Sequence, residues 1–397
     1  MLPRMYERLL RAHFQETRQM AFLAGPRQVG KTAVARQMAD VYLNFDNLDD
    51  RAVILRGPAA VAGRAELERP QAIPRLLAFD EIHKFLKWKS FLKGFFDVDG
   101  ERCRILATGS ARMDIFRRGG DSLLGRYFLY HQHPFSVGEI LRPEPPAAPV
   151  RDSAVMDSAA WDALWHFGGF PEPMVRQSAT FLKKWQANRM DLLLREDVRD
   201  LTRVQELRGI ETLGHLLASR SGHQLIFSNL AREISVSVDT VRRWITILSN
   251  LYIGFELRPW YKNVAKALRK EPKWYLRDWS PVADPGARAE TFAACHFLKA
   301  VETWTDLGLG AFELRYLRDK QKREVDFLIV RDGSPWVLIE VKAARCVLSP
   351  HLFHFQKQTG AEHAFQAVLD LPHEEIDCFA QRTPVIVPLR TLLSQFP

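Results

Sequence analysis

Gly25-Pro26-Arg27-Gln28-Val29-Gly30-Lys31-Thr32 fits the pattern G-x-x-x-x-G-K-[ST] at every specified position. Met20-Ala21-Phe22-Leu23-Ala24 before it is an apolar run of strand length, and Val34, Ala35, Met38 and Ala39 after it recur at helical spacing. A strand, a glycine loop and a helix start in that order turn backbone N–H groups inward around an anion. Lys31 adds a point charge at the terminal phosphates and Thr32 a hydroxyl for Mg²⁺. The flanking pattern favours a nucleoside triphosphate site over a chance glycine-rich turn and commits this part of the chain to an α/β fold.

Val41 to Phe45 reads as a second strand, and Leu76-Leu77-Ala78-Phe79-Asp80-Glu81 as a buried strand ending in two acids. Asp80 at the tip can hold Mg²⁺ through its water shell, and Glu81 can orient and deprotonate an attacking water. Without the upstream loop such a pair would more often cap a helix. The next apolar strand, Arg104-Ile105-Leu106-Ala107, runs into Thr108-Gly109-Ser110. Thr108 or Ser110 could sense the γ-phosphate there, although Thr-Gly-Ser also favours an ordinary turn.

A chain of 397 residues, 47% of them hydrophobic, is long and apolar enough for two to four cores. Its 56 Lys and Arg against 47 Asp and Glu hint at a polyanionic partner about as strongly as at a solvated basic surface. No stretch is apolar for long enough to span a bilayer, and Met1 to Arg8 lacks the apolar core of a secretory signal, so a cytoplasmic location without membrane contact is expected. Cys103, Cys295, Cys346 and Cys378 are scattered, against both a disulfide framework and a zinc site.

Arg142 to Pro149 is proline-dense and reads as a linker or surface excursion. Trp161 to about Leu207 is helical, with Leu182, Trp185, Met190, Leu193 and Leu194 on an apolar face. Ile226 to Trp244 holds two helical patterns around a short turn, the spacing of a helix-turn-helix. In its second helix Val238, Val241, Ile245 and Leu248 form the expected core face, while Asp239, Arg242, Arg243 and Thr246 project elsewhere. Tyr252 to Leu257 would be a wing strand. Arg242 and Arg243 are the candidate contacts to DNA or RNA, with Lys262, Lys266, Arg269 and Lys270 as further phosphate neutralisers; such modules also serve in protein packing.

Arg323 to Val330 and Trp336 to Lys342 are strand patterns joined through Asp332-Gly333-Ser334-Pro335, a hairpin signal. Glu340 and Lys342, two apart, share a face, and pairing places Asp326 opposite or diagonal to Glu340. With Glu290 from the helical stretch Ala287 to Lys299, these side chains could bind a second Mg²⁺ or Mn²⁺ and orient a water for phosphodiester attack. A salt-bridged, inactive cluster used for binding fits the same residues. The arrangement resembles the restriction-endonuclease superfamily, with an acid on one strand and E-x-K on the next.

The chain as a whole resembles the bacterial and archaeal predicted ATPases that join an AAA-type core to a C-terminal domain of unknown function. The residues that carry the resemblance are Gly25 to Thr32, Asp80-Glu81-Ile82-His83-Lys84 with Trp88, Thr108-Gly109-Ser110, Ser122-Leu123-Leu124-Gly125-Arg126 and Gly168-Gly169-Phe170-Pro171-Glu172. His83 stands where that family usually shows Gln. The resemblance implies that Thr108 or Ser110 is the sensor 1 residue. It also implies that Arg126, at the end of the helix leading into the fifth strand, is the arginine finger given to a neighbouring subunit. Arg112, Arg117 and Arg118 lie close enough to compete for that role. Pro171 would touch the adenine ring, as in the lid of related switch ATPases, or belong to a plain turn.

Four parts are expected: an AAA-type P-loop ATPase core over 1–150, a helical lid over 151–210, a winged helix over 211–272, and an α/β restriction-endonuclease-like domain over 273–397. The expected function is ATP hydrolysis with Mg²⁺ in a homo-oligomer, a hexameric ring first, coupled to domains that bind DNA or RNA. Two alternatives stay open: a nucleotide-dependent regulatory switch without cleavage, and an ATP-gated metal-dependent nuclease.

Overall fold

The structure, a computed structural model, describes residues 2–69, 72–109, 123–198, 207–261, 270–344 and 347–397, and of 195–197 the backbone alone. Two compact units, Met1–His133 and Pro134–Pro397, make up the chain.

In the first unit α1 (Met5–Glu16) leads into β1 (Met20–Ala24), the glycine loop, α2 (Lys31–Met38) and β2 (Val41–Asn44). After α3 (Leu48–Leu55) and α4 (Pro58–Arg64) come β3 (Arg75–Asp80), α5 (Trp88–Asp99), β4 (Cys103–Gly109) and β5 (Tyr127–His131). The five strands form one sheet in the order β2-β3-β4-β1-β5, each neighbouring pair parallel. Every residue of β1 is buried, the continuous apolar pattern of a parallel strand covered on both faces. α5 buries Trp88, Phe91, Leu92, Phe95 and Phe96 at steps of three and four, and Phe79 packs edge-on against Phe91 and Phe95.

Register decides what converges. Asn44 lies opposite Asp80, Phe79 opposite Ala107, and Leu23 opposite Thr108. The carboxyl ends of β1, β3 and β4 therefore finish together, where ligands of open α/β sheets bind.

The second unit opens with α6 (Val137–Leu141), α7 (Ser158–Phe167), α8 (Pro171–Arg176) and α9 (Ala179–Asp191), the last running on as π-helix over Leu192–Asp197. Arg142 to Pro149 forms neither helix nor strand, as proline demands, but it is pinned rather than free. The Arg151 guanidinium donates to the carbonyls of Arg142 and Glu144, and the Arg142 guanidinium to the carbonyl of Ser394.

α10 (Leu207–Ala218), α11 (Phe227–Glu233) and α12 (Val238–Asn250) precede an antiparallel pair, β6 (Gly254–Leu257) and β7 (Lys273–Leu276). Gln224 forms an isolated bridge with Lys273 at the edge of that pair. Val241, Ile245 and Leu248 are buried on α12 as expected; Val238 is not, being 37% exposed. It occupies the first helical position, just beyond the Ser237 cap, and Trp244 and Ile247 complete the core face instead.

α13 (Pro285–Asp306), β8 (Phe312–Arg318), β9 (Glu324–Arg331), β10 (Ser334–Lys342), α14 (Pro350–Thr359), β11 (His363–Val368), β12 (Val385–Pro388) and α15 (Leu389–Ser394) complete the chain. The sheet order is β12-β11-β10-β9-β8, antiparallel from β8 to β10 and parallel from β10 to β12. α13 contributes Phe292, Phe297, Val301 and Trp304 to one core of this unit, while Leu352 and Phe355 of α14 belong to a second core with Leu328 and Leu338. The β9–β10 turn is tighter than the sequence suggests: Asp332 and Gly333 alone make it, both at positive φ, and Ser334 already pairs with Arg331.

Candidate functional site

The glycine loop closes on itself around Lys31. Lys31 is 5% exposed, and its ammonium donates to the carbonyls of Gly25 and Pro26, each at 2.8 Å. Gly30 has φ +104°, a conformation that L side chains rarely adopt, and a Cβ on Gly25 would stand 2.2 Å from the Gln132 carbonyl oxygen. Gln132 and Arg4 brace the loop from outside the motif: Gln132 Nε2 donates to the Val29 carbonyl at 3.1 Å and Arg4 Nη1 at 2.9 Å. Sequence spacing could not reveal either, since they lie far away along the chain. Val29 is wholly buried; Arg27 is half-buried and Gln28 exposed.

Asp80, 1% exposed, gathers three hydroxyls. Thr32 Oγ1 donates to Oδ2 at 2.8 Å, Tyr42 to the same oxygen at 2.5 Å, and Thr108 to Oδ1. Sequence alone marks Tyr42 only as a strand residue; burial, and then the hydrogen bond to Asp80, holds its hydroxyl protonated well above the usual range. A carboxylate and a threonine hydroxyl already in contact, beside a buried lysine and a glycine cradle, suit the donor set of a magnesium–triphosphate site.

Glu81 follows at φ +56°, its backbone turned left-handed, with a side chain 17% exposed. Burial pushes its carboxyl above the ordinary range, against the pull of Lys31 and Lys84. His83 Nε2 stands 3.5 Å from Glu81 Oε2, so the histidine in place of the usual glutamine lies directly beside the candidate base.

Arg126 precedes β5, whose first residue pairs with Met20 and whose last pairs with Ala24. It therefore sits at the opposite edge of the sheet from the loop, roughly 20 Å away along the strand at about 3.3 Å per residue. There it forms a two-pronged pair with Asp97, Nε to Oδ1 at 2.7 Å and Nη2 to Oδ2 at 3.1 Å. Ser110, Arg112, Arg117 and Arg118 lie outside the described residues, as do Lys262, Lys266, Arg269 and Cys346. Pro171 belongs to the second unit, at the start of α8; Phe170 before it is buried against Trp185 and beneath the Arg189 guanidinium.

Arg242 and Arg243 are both exposed on α12, and the Arg242 guanidinium lies 4.2 Å over the Phe227 ring. In the carboxyl-terminal sheet Glu290, Asp326, Glu340 and Lys342 do gather, and the register that pairs Ile339 with Phe327 brings Glu340 opposite Asp326. Lys342 pairs with Glu340 at 2.7 Å, and Asp326 Oδ2 accepts the Val341 N–H at 3.0 Å.

The centre of this group is taken by Lys273 from β7. Its ammonium lies 2.9 Å from Glu290, 2.6 Å from Glu324 and 3.5 Å from Asp326. Tyr275 donates to the same Glu290 oxygen at 2.5 Å. Burial alone would pull the Lys273 ammonium down, but the surrounding oxygens hold it charged, well above its usual value. Asp326 is pushed up to about 7, first by burial and then by the Glu290 charge. A second Mg²⁺ or Mn²⁺ does not fit this arrangement. Among the described residues no group of three or more His, Cys, Asp or Glu is placed to hold a metal ion.

Three family models match successive stretches: an AAA domain over residues 17–141, a domain of unknown function (DUF8612) over 158–284 and another (DUF4143) over 285–392. The amino-terminal unit carries an AAA-type ATPase domain. Two uncharacterized mycobacterial proteins, Rv2008c of Mycobacterium tuberculosis and Mb2031c of Mycobacterium bovis, are each 24% identical over 328 residues, 80% of this chain and 69% of theirs. Among solved structures, the ORC1 protein of Aeropyrum pernix in complex with DNA aligns over 75% of this chain and 94% of its own at 14% identity and TM-score 0.33. The Pyrococcus furiosus Hef helicase domain aligns over 68% and 70% at 13% identity and TM-score 0.21. Scores of that size establish no shared site. Among the described residues no helix is long and apolar enough to cross a membrane.

Proposed function

We propose that the chain is an ATP hydrolase of the AAA type that works as a homo-oligomeric ring, a hexamer first, and couples turnover to nucleic-acid binding by its carboxyl-terminal modules. The convergence of Lys31, Thr32, Tyr42 and Thr108 with Asp80 on one sheet edge carries this reading. The loop N–H groups and Lys31 bind the phosphates, and Thr32 and Asp80 hold Mg²⁺, which supplies charge neutralisation when bound. Glu81 orients a water and takes its proton, and Thr108 keeps Asp80 in register with the terminal phosphate. Pro171 contacts the nucleotide base in this reading, with the helices of 151–210 as a lid.

The Glu81→Gln variant is expected to bind ATP with Mg²⁺ as tightly as the native chain while kcat falls by about 10²- to 10⁴-fold. Undiminished turnover would remove Glu81 from the reaction.

The order α10, Gln224 bridge, α11, α12, β6, β7 supports a winged helix. The following α13, three antiparallel strands, α14 and β11 support a restriction-endonuclease-like fold. Exposed Arg242 and Arg243 then make phosphate contacts with DNA or RNA, and Arg242→Ala with Arg243→Ala should flatten the salt dependence of binding by about two units of slope. An unchanged slope would point to a protein partner. Lys273 among the acids favours one alternative, a nucleotide-dependent switch that binds without cutting, over an ATP-gated nuclease.

A further inference from the structure

Val238, Arg242 and Thr246, each four residues from the next, share one face of α12. They line an open cavity of about 270 Å³ together with the start of α11, the end of β6 and the approach to β7. The wall before β7 is fixed through its backbone: the Tyr316 hydroxyl donates to the Glu271 carbonyl at 2.7 Å, and the Leu225 N–H to the Pro272 carbonyl at 2.8 Å. Different chemistries meet inside. The Arg242 guanidinium lies 4.2 Å over the buried Phe227 ring, so ring and guanidinium make a layered, charged platform, with the Val238 side chain also on the lining. Glu256 and Glu271 supply carboxylates, the first held by Arg258 at 2.7 Å, and the exposed Lys270 adds a further cation.

We propose that this cavity takes one unpaired nucleotide of a single-stranded nucleic acid and selects a base that carries an exocyclic amino group. Size argues for a single base: the volume lies just below the roughly 300–1,000 Å³ of sites for drug-sized ligands, and a base enters such a space only after leaving its stack. Guanidinium planes stack on the faces of unpaired bases, and one already laid on an aromatic ring gives up little freedom in doing so. Carboxylates accept from the amino groups of cytosine and adenine, whereas thymine and uracil present a carbonyl oxygen at the corresponding position. Arg242 and Lys270 supply positive charge for the phosphate of the same nucleotide. The proposal rests on the nucleic-acid reading above and narrows it, from phosphate contacts with DNA or RNA to the capture of an unpaired base.

Fluorescence anisotropy with the full-length protein, without ATP and at fixed ionic strength, tests it on labelled oligocytidine, oligothymidine and a duplex of equal length. Deoxy and ribo strands run side by side tell which nucleic acid supplies the base. The native chain should bind the cytidine strand on the order of tenfold more tightly than the thymidine strand or the duplex. Arg242→Lys keeps the charge and loses the plane. It should abolish that preference while leaving duplex affinity, and the slope of affinity against salt, unchanged. Val238→Phe, which fills the cavity, should do the same; both positions are exposed, so the fold tolerates either change. Equal affinity of the native chain for cytidine and thymidine strands, or a preference that survives both substitutions, overturns the proposal and leaves nucleic-acid binding standing. Binding of none of these ligands overturns the nucleic-acid reading itself, and the cavity assignment with it.

Discussion

In the proposed reaction Glu81 is the base, and burial together with four charged neighbours, Lys31, Lys84, Asp80 and Arg27, sets its strength. Burial raises its carboxyl, the Lys31 and Lys84 ammonium groups lower it, and Asp80 raises it again. The lysine at 84 is the adjustable one. Lys31 belongs to the loop, whereas Lys84 Nζ sits 3.8 Å from Glu81 Oε2 and is shared with Asp46 at 2.6 Å. A base must be deprotonated to act, so activity should fall as pH drops through a value above the ordinary carboxylate range. Lys84→Met removes a charge that favours the carboxylate, which should move that acid limb to higher pH. The pH dependence of kcat measures it; a limb that stays put or moves down would show that Lys84 does not tune the base.

At the scale of the element, β9 and β10 carry a polar cluster on an otherwise apolar sheet, and its protonation is tied to folding. Asp326 is raised from 3.8 to about 7, so between those values the folded chain holds a proton that the unfolded chain has released. The stability this contributes is complete below about pH 4 and is lost as pH rises through about 7. Asp326→Asn mimics the protonated acid and leaves Lys273 with Glu290 and Glu324. The variant should lose stability less steeply than the native chain across that window, and exceed it by on the order of 2 kcal/mol at the alkaline end. Urea unfolding at several pH values gives the comparison, and parallel curves would refute the assignment.

What the sequence made legible here was periodicity: alternation put Glu340 with Lys342 and Asp326 opposite them, and the loop motif put Lys31 and Thr32 together. Lys273 stayed hidden because its partners lie on other elements, Glu290 on α13 and Glu324 and Asp326 on β9, although Lys273 and Tyr275 show the same step of two as Glu340 and Lys342. Arg4, Tyr42 and Gln132 stayed hidden for a related reason, since no local pattern says which strand edge a side chain will meet. Val238 is exposed although the spacing puts it on the core face, because helical spacing names a face but not how far along it the packing extends.

At the scale of the whole molecule, the proposed arginine-finger role of Arg126 would require a second subunit, because Arg126 lies far from its own phosphate loop. The sheet sets that distance: Arg126 lies ahead of β5 at the edge where β1 begins, and the loop leaves β1 at its other end. A guanidinium there cannot act on the nucleotide of its own chain without unravelling a strand, whereas in the proposed head-to-tail ring it would serve the site of the next subunit. Asp97 holds it meanwhile through an exposed pair, which surface solvation keeps weak enough to exchange for a phosphate. Complementation follows from this geometry. Glu81→Gln lacks the base but keeps the arginine, and Arg126→Ala has the reverse defect, so each alone should be nearly inactive. Mixed in equal amounts and allowed to reassemble, they form intact base–arginine junctions at roughly a quarter of the interfaces, and ATPase activity should recover to that order. A mixture no more active than its components, in a sample shown by subunit exchange to have reassembled, would take the arginine finger away from Arg126.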